Sequence, residues 1–256
     1  MKKRVYYVRL TSVIFLIILI VLLKISLSRI NHWKYYNKEN EKIQEKIEET
    51  AVIRQTEENN NETETNEYKV DFQELKNINS DTVGWIEVPG TEINYSVVHT
   101  SNNSYYLAHN FNKEYNISGW IFADYSNKFD GNDKNIVIYG HNVRDGSMFG
   151  SLKKVLNAEW YNNAENYNVK LLTEKSEQIY KVFSVYQIEA EDYYIQTTFN
   201  NTKEFENFAQ TLKKRSIKKF EEDVGQDDQI LTLSTCANNN KYRVVLHAKK
   251  VEENYF

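Results

Sequence analysis

The chain holds one cysteine, Cys236, in 256 residues. It ends the run Asp228-Gln229-Ile230-Leu231-Thr232-Leu233-Ser234-Thr235-Cys236, whose apolar and β-branched residues suit a buried strand. A polar loop follows at 237–241, then a second strand at 242–248 that opens on Tyr242-Arg243. Two strands joined by so short a loop form a hairpin, with Cys236 and Arg243 near its mouth. A thiol beside a guanidinium is a candidate nucleophile of lowered pKa. The same pattern also suits a structural cysteine in a core, because free cysteine is among the most buried residue types.

A nucleophilic thiol needs a proton partner, usually histidine. Five histidines compete. His32 sits beside an apolar N-terminal segment, and His99 and His109 lie in polar stretches that read as solvated. His247 shares strand parity with Arg243 but is four residues further on, about 13 Å along a strand and too far to serve the same thiol. His141 differs from these. It ends the apolar run Ile136–Tyr139, follows Gly140 and opens the polar loop Asn142-Val143-Arg144-Asp145-Gly146, so a rigid strand would present it to solvent. Asp145 reads as a loop residue. Papain-like enzymes place cysteine before histidine, and the caspase signature around the nucleophile is missing.

The elements that must position these residues are mostly short strands. Strand patterns occupy 84–88, 93–98, 119–125, 135–141, 167–172 and 178–189, with Pro89-Gly90 as a turn. A short helix is expected over 71–79 from Phe72, Leu75 and Ile78. A late helix is expected within 201–220 from Phe205, Phe208, Ala209 and Leu212. Many short strands with one late helix indicate a mainly β fold, a barrel or sandwich with added helices.

The net charge of −4 gives no basic footprint for nucleic acid. A lone cysteine forms no intramolecular disulfide and builds no multi-cysteine metal site. Asp223, Asp227 and Asp228 read as a solvated charge run rather than a calcium site. Residues 1–9 form a basic N-terminus with Lys2, Lys3, Arg4 and Arg9, and 10–27 are apolar enough for one membrane helix. No small-residue cleavage pattern follows, which favours an uncleaved signal-anchor with the N-terminus in the cytoplasm. Residues 28–67 then read as an extracellular stalk, exposed and Glu/Lys-rich, ending in a flexible acidic spacer at 57–67. The folded domain is expected over 68–256. A thiol without a disulfide partner is unusual outside the cytosol, which strengthens the nucleophile reading.

Four motifs occur together: Asn94-Tyr95-Ser96-Val97-Val98, Gly119-Trp120-Ile121-Phe122-Ala123-Asp124-Tyr125, Ile138-Tyr139-Gly140-His141-Asn142 with Met148-Phe149, and Thr232-Leu233-Ser234-Thr235-Cys236. In these the chain resembles the sortases, cysteine transpeptidases of Gram-positive cell surfaces, and specifically class B. Ser96 departs from the pattern, which usually has proline there, and this suggests a looser strand entry.

The resemblance implies an eight-stranded β-barrel with flanking N-terminal helices and one late helix. It implies a catalytic set of Cys236, His141 and Arg243. It further implies substrate contacts at Ser234, Asn103, Leu107, Tyr193, Tyr194 and Ile195, with no metal and no cofactor. The implied reaction cleaves a sorting signal of the Asn-Pro-x-Thr-x kind after threonine through a thioacyl enzyme. The implied partners are a surface protein bearing that signal, an amine of a peptidoglycan precursor, and the membrane through the N-terminal helix. A cysteine peptidase that passes the acyl group to water, and a membrane-tethered binding module without activity, remain as alternatives.

Overall fold

The computed structural model describes residues 2–55, 67–237 and 241–256. Most of the acidic run 57–67 and the tip of the loop after Cys236 lie outside them.

The wall is built from eight strands: β3 (Thr82–Glu87), β4 (Asn94–His99), β5 (Phe122–Ala123), β6 (Asn135–Gly140), β7 (Asn168–Leu172), β8 (Ser176–Glu189), β9 (Ile230–Ala237) and β10 (Tyr242–Tyr255). They close into a barrel in the order β10-β8-β7-β3-β4-β5-β6-β9. Closure pairs every strand on both sides and leaves no edge for another chain to extend. Two pairings are parallel, β4 with β5 and β6 with β9. The barrel is the architecture that the motifs implied.

One core fills the barrel around Trp85, Trp120, Phe149 and Tyr180. A second lies outside it, under α4 (Thr202–Arg215). Phe205, Phe208, Ala209 and Leu212 share the buried face of α4 at helical spacing, and they cover Phe183, Tyr186 and Val245 on the outer side of β8 and β10. Asn201 caps α4 by accepting from the Glu204 N–H. A smaller helix, α2 (Phe72–Ile78), is capped in the same way by Asp71 and buries Phe72 and Leu75. A four-residue helix, α3 (Ala158–Tyr161), lies in the connection from β6 to β7 and buries Trp160.

Two expectations change. The strand expected over 119–125 shrinks to Phe122–Ala123, because Gly119 turns the chain at φ +59° and Asp124 turns it again. The folded unit also begins well before residue 68. A single helix, α1, runs from Lys2 to Ala51. Its first half carries exposed apolar side chains from Val13 to Ile30. Its second half lies on the barrel, burying Asn37, Asn40, Ile43, Ile47 and Ala51. These positions fall three or four apart, so they share one helix face. After α1, β1 (Val52–Gln55) pairs antiparallel with β2 (Glu67–Val70). The acidic run thus lies between two elements of the folded unit, not between an anchor and a domain.

Ile47→Ala tests whether α1 is part of the cooperative unit. Removing this fully buried side chain should cost about 3 kcal/mol of unfolding free energy, read from denaturant midpoints, and a loss under ~0.5 kcal/mol would show that α1 folds apart from the barrel.

Candidate active site

Three neighbouring strands bring Cys236, His141 and Arg243 to one end of the barrel. β6 and β9 run parallel, with Gly140 level with Thr235. His141 and Cys236 are the next residue on each strand. β9 and β10 run antiparallel, with Cys236 opposite Arg243. Residues far apart in sequence therefore share one level of the wall. Gly140 is required where it stands, because a Cβ there would come within 2.5 Å of the Ile121 side chain and 2.6 Å of the Phe149 ring.

His141 is held from several directions. Its carbonyl accepts from the Val143 and Phe149 N–H groups, both at 3.0 Å, which folds the loop 142–149 back on itself. Its ring Nε2 lies 2.8 Å from the Leu107 carbonyl. A carbonyl only accepts, so Nε2 carries a proton and Nδ1 is left to take or give one. Beneath the ring, a Cβ on Gly119 would sit 3.0 Å from the His141 Cδ2 and 2.3 Å from the Tyr106 carbonyl. Only glycine lets the 116–119 loop approach this closely. Arg243 is half-buried, and its Nη1 donates to the Tyr242 carbonyl at 3.1 Å.

The expected substrate positions fall into three groups. Leu107 lies beside His141 as its acceptor and keeps an exposed side chain. Ser234 and Tyr194 are both buried, and their hydroxyls bond to each other at 3.0 Å. Tyr193 and Ile195 pack on the core under α4, with the Arg215 guanidinium 4.5 Å above the Tyr193 ring. Asn103 is tied to Asp124, to which its Nδ2 donates at 2.7 Å.

Asp124 is a residue that the sequence reading quoted in a motif but gave no role. It is buried, and it accepts from Ser126, from the Tyr139 hydroxyl at 2.8 Å and from Asn103. Burial alone would raise its pKa, but these donors outweigh that and hold it below the usual carboxylate value. Tyr139 lies on β6 one residue before Gly140, so Asp124 links the Asn103 loop to the strand that carries His141. The signal was an acidic residue following an apolar run, too common to single out.

Other placements differ from the sequence reading. His99 and His109 are half-buried and packed rather than solvated. The His109 ring stacks on Tyr105 at 4.0 Å and the His99 ring meets Phe129 edge-on. Ser96 lies within β4, and its hydroxyl and carbonyl both accept from the Trp120 indole at 3.1 Å, so the departure from proline adds a bond rather than loosening the strand. Asp145 accepts from Ser147 and from Asn37 on α1. Asp223 pairs with Lys213, and Asp228 accepts from the Gly225 N–H and lies near Lys249.

Comparisons with known proteins agree with this fold. A family model described as "Sortase domain" matches residues 86–251. The chain is 37% identical over 190 residues to sortase B of Listeria monocytogenes, covering 72% of this chain and 76% of that protein. The X-ray structure of Clostridium perfringens sortase B superimposes with a TM-score of 0.67 at 39% identity, covering 71% of this chain and 100% of that one. Staphylococcus aureus sortase B, solved as a complex with substrate, superimposes with a TM-score of 0.67 at 29% identity, covering 89% of this chain and 97% of that one.

His247 makes a pH test possible. It is fully buried on β10 between the Thr232 and Tyr186 hydroxyls, at 2.9 and 3.0 Å. Burial pushes its pKa down to about 3. Unfolded, a histidine titrates near about 6.5, so between these values the unfolded chain binds a proton that the native one excludes. The resulting stability is full above that unfolded value and is lost as pH falls toward the folded one. Unfolding measured from neutral pH downward should show this decline. In His247→Gln the slope should be shallower by the equivalent of about one proton, and an unchanged slope would assign the acid sensitivity elsewhere.

Proposed function

Because this chain belongs to the sortase family, and within it to the class B cysteine transpeptidases, we propose that Cys236, His141 and Arg243 perform the transfer on a sorting signal of the Asn-Pro-x-Thr-x kind. The observation that carries this reading is the register: β6, β9 and β10 set these three residues at one level of the wall.

The Cys236 thiolate attacks the threonine carbonyl carbon. The carbon–nitrogen bond breaks, and the leaving amine takes a proton from His141. The thioacyl enzyme is then attacked by an amine of a peptidoglycan precursor, which returns a proton to His141 as the new amide forms. Nδ1 is the nitrogen for both transfers, because Leu107 occupies Nε2. Arg243 donates to the substrate backbone and to the oxygen that gains charge at each attack. Peptide contacts at Asn103 and Leu107 suit the segment between β4 and β5 that borders His141. Ser234 and Tyr194, bonded to each other, brace the wall from its outer, α4-covered side. The relative from Staphylococcus aureus, solved as a substrate complex, supports a peptide site on this fold.

The apolar half of α1 serves as the anchor. It is the one helix among the described residues that is long and apolar enough to cross a membrane. Lys2, Lys3, Arg4 and Arg9 favour a cytoplasmic N-terminus, which places the barrel outside the cell.

Mass spectrometry of the protein incubated with Asn-Pro-x-Thr-x peptides and an amine acceptor is the direct test. It should show a thioacyl adduct and then the amide product, and Cys236→Ala should show neither. Transfer that persists in Cys236→Ala would refute the assignment. Hydrolysed peptide without amide product would refute the transfer step. Arg243→Lys separates charge from direction, since lysine keeps the charge but loses the planar fork of donors. Acylation should fall by about 10² to 10³, the scale of one lost oxyanion donor, while the alkylation pH profile of the thiol stays in place.

A further inference from the structure

We infer that the catalytic domain does not hang free of the bilayer but rests on its outer surface, through a patch formed by α1 around Tyr35 and by Tyr115 and Ile117 of the loop that supports His141. The inference rests on the reading of α1 as the anchor.

Three observations converge on that patch. The first is continuity. α1 passes without a break from its exposed apolar half to the half that lies on the barrel. From Ile30, the last exposed apolar side chain of that run, to Tyr36 is six residues, about 9 Å of helix rise. The headgroup layer is roughly 5–8 Å deep on each side. The first barrel contacts of α1 therefore lie at the outer edge of that layer. They are made to the loop 115–118. Asn116 donates to the Tyr36 carbonyl at 3.0 Å and to the Asn40 side chain at 2.9 Å, and the Tyr36 and Tyr115 rings meet edge-on at 5.9 Å.

The second observation is composition. Tyr35, Tyr115 and Ile117 are exposed at 62%, 61% and 40%, with Trp33 and Tyr36 beside them. Aromatic side chains with a polar tip are the residues that favour the membrane–water interface. The third observation is charge. No acidic residue precedes Glu39, while Arg29, Lys34 and Lys38 mark the stretch that leads to the barrel. Along α1, carboxylates begin only at the turn where it meets the domain, and beside Tyr115 the exposed Glu114 adjoins Lys113. This pattern suits contact with the phosphates of lipid headgroups.

The direction of α1 fixes which end of the barrel is seated. Asn40 donates to the Gly119 carbonyl, and Gly119 lies under the His141 ring, so the first turns of α1 on the barrel serve the His141 end. Ala51, at the far end of α1, accepts from Asp71 just before α2, and Lys76 of α2 pairs with Glu174 in the turn between β7 and β8. That turn joins the ends of β7 and β8 opposite the mouth that holds Cys236 and Arg243. The site faces the bilayer, and the Lys175 turn faces away.

The test uses the full chain in anionic nanodiscs, with Cys236→Ala to remove the native thiol. An environment-sensitive fluorophore is attached at Tyr115→Cys, Ile117→Cys, Lys175→Cys or Leu19→Cys in separate variants. Nitroxide-bearing lipids serve as the quencher. Labels at 115 and 117 should be quenched several-fold more than the label at 175. Equal quenching at 115, 117 and 175, with strong quenching at 19, overturns the seat and leaves the anchor standing. Absence of quenching at 19 overturns the anchor and the seat with it.

Discussion

The parallel pairing of β6 with β9 is the constraint from which the site follows. The two strands are separated by about ninety residues of chain, yet their hydrogen-bond ladder must hold one register. A slip of one residue would turn the apolar side chains of β9 out of the barrel and carry Cys236 away from His141. Register is fixed from both sides. Ile230, Leu231 and Leu233 are all buried, and Gly140 is pressed by Ile121 and Phe149 so closely that no side chain fits. The packing that secures the barrel and the alignment that secures the site are thus one requirement.

A second layer of support comes from polar contacts rather than apolar ones. Asn37 and Asn40 on α1 are buried against Asn116, Ser118 and the Gly119 carbonyl. An apolar face tolerates sliding, whereas a set of directional bonds is satisfied in one position only. This seam sets α1 against the loop whose Leu107 and Gly119 contact the His141 ring. Asn37 also donates to Asp145 on the other side of that histidine. The helix therefore grips both loops that flank it.

Much of this was legible in the sequence, and the reasons divide cleanly. Strands β3, β4, β6, β8, β9 and β10 announce themselves as apolar or alternating runs, because burial of a sheet face imposes that pattern. The hairpin of Cys236 and Arg243 follows from a short loop between two such runs. The exclusion of His247 by distance along a strand agrees with its buried place between Thr232 and Tyr186. The contribution of α1 was not legible, because its first two buried positions, Asn37 and Asn40, are asparagine and a search for apolar spacing passes over them. Residues 119–125 read as one strand because Trp120, Ile121 and Phe122 are apolar, but only the last of them joins a ladder. The environments of His99, His109 and Asp124 depend on partners distant in sequence, and local composition carries no record of them.

The barrel is closed by its last two strands in chain order, β9 and β10. β9 must slot between β6 and β10, and β10 must reach back along the whole of β8. Pairings this distant form late, since loop closure has to precede the contacts that reward it. The strand that completes the wall also brings Cys236 into place. Until the β9–β10 hairpin docks, then, the wall stays open and Cys236 is not level with His141. A copy that lacks this hairpin lacks both a sealed wall and the alignment of Cys236 with His141, so completing the fold and assembling the candidate site are one event.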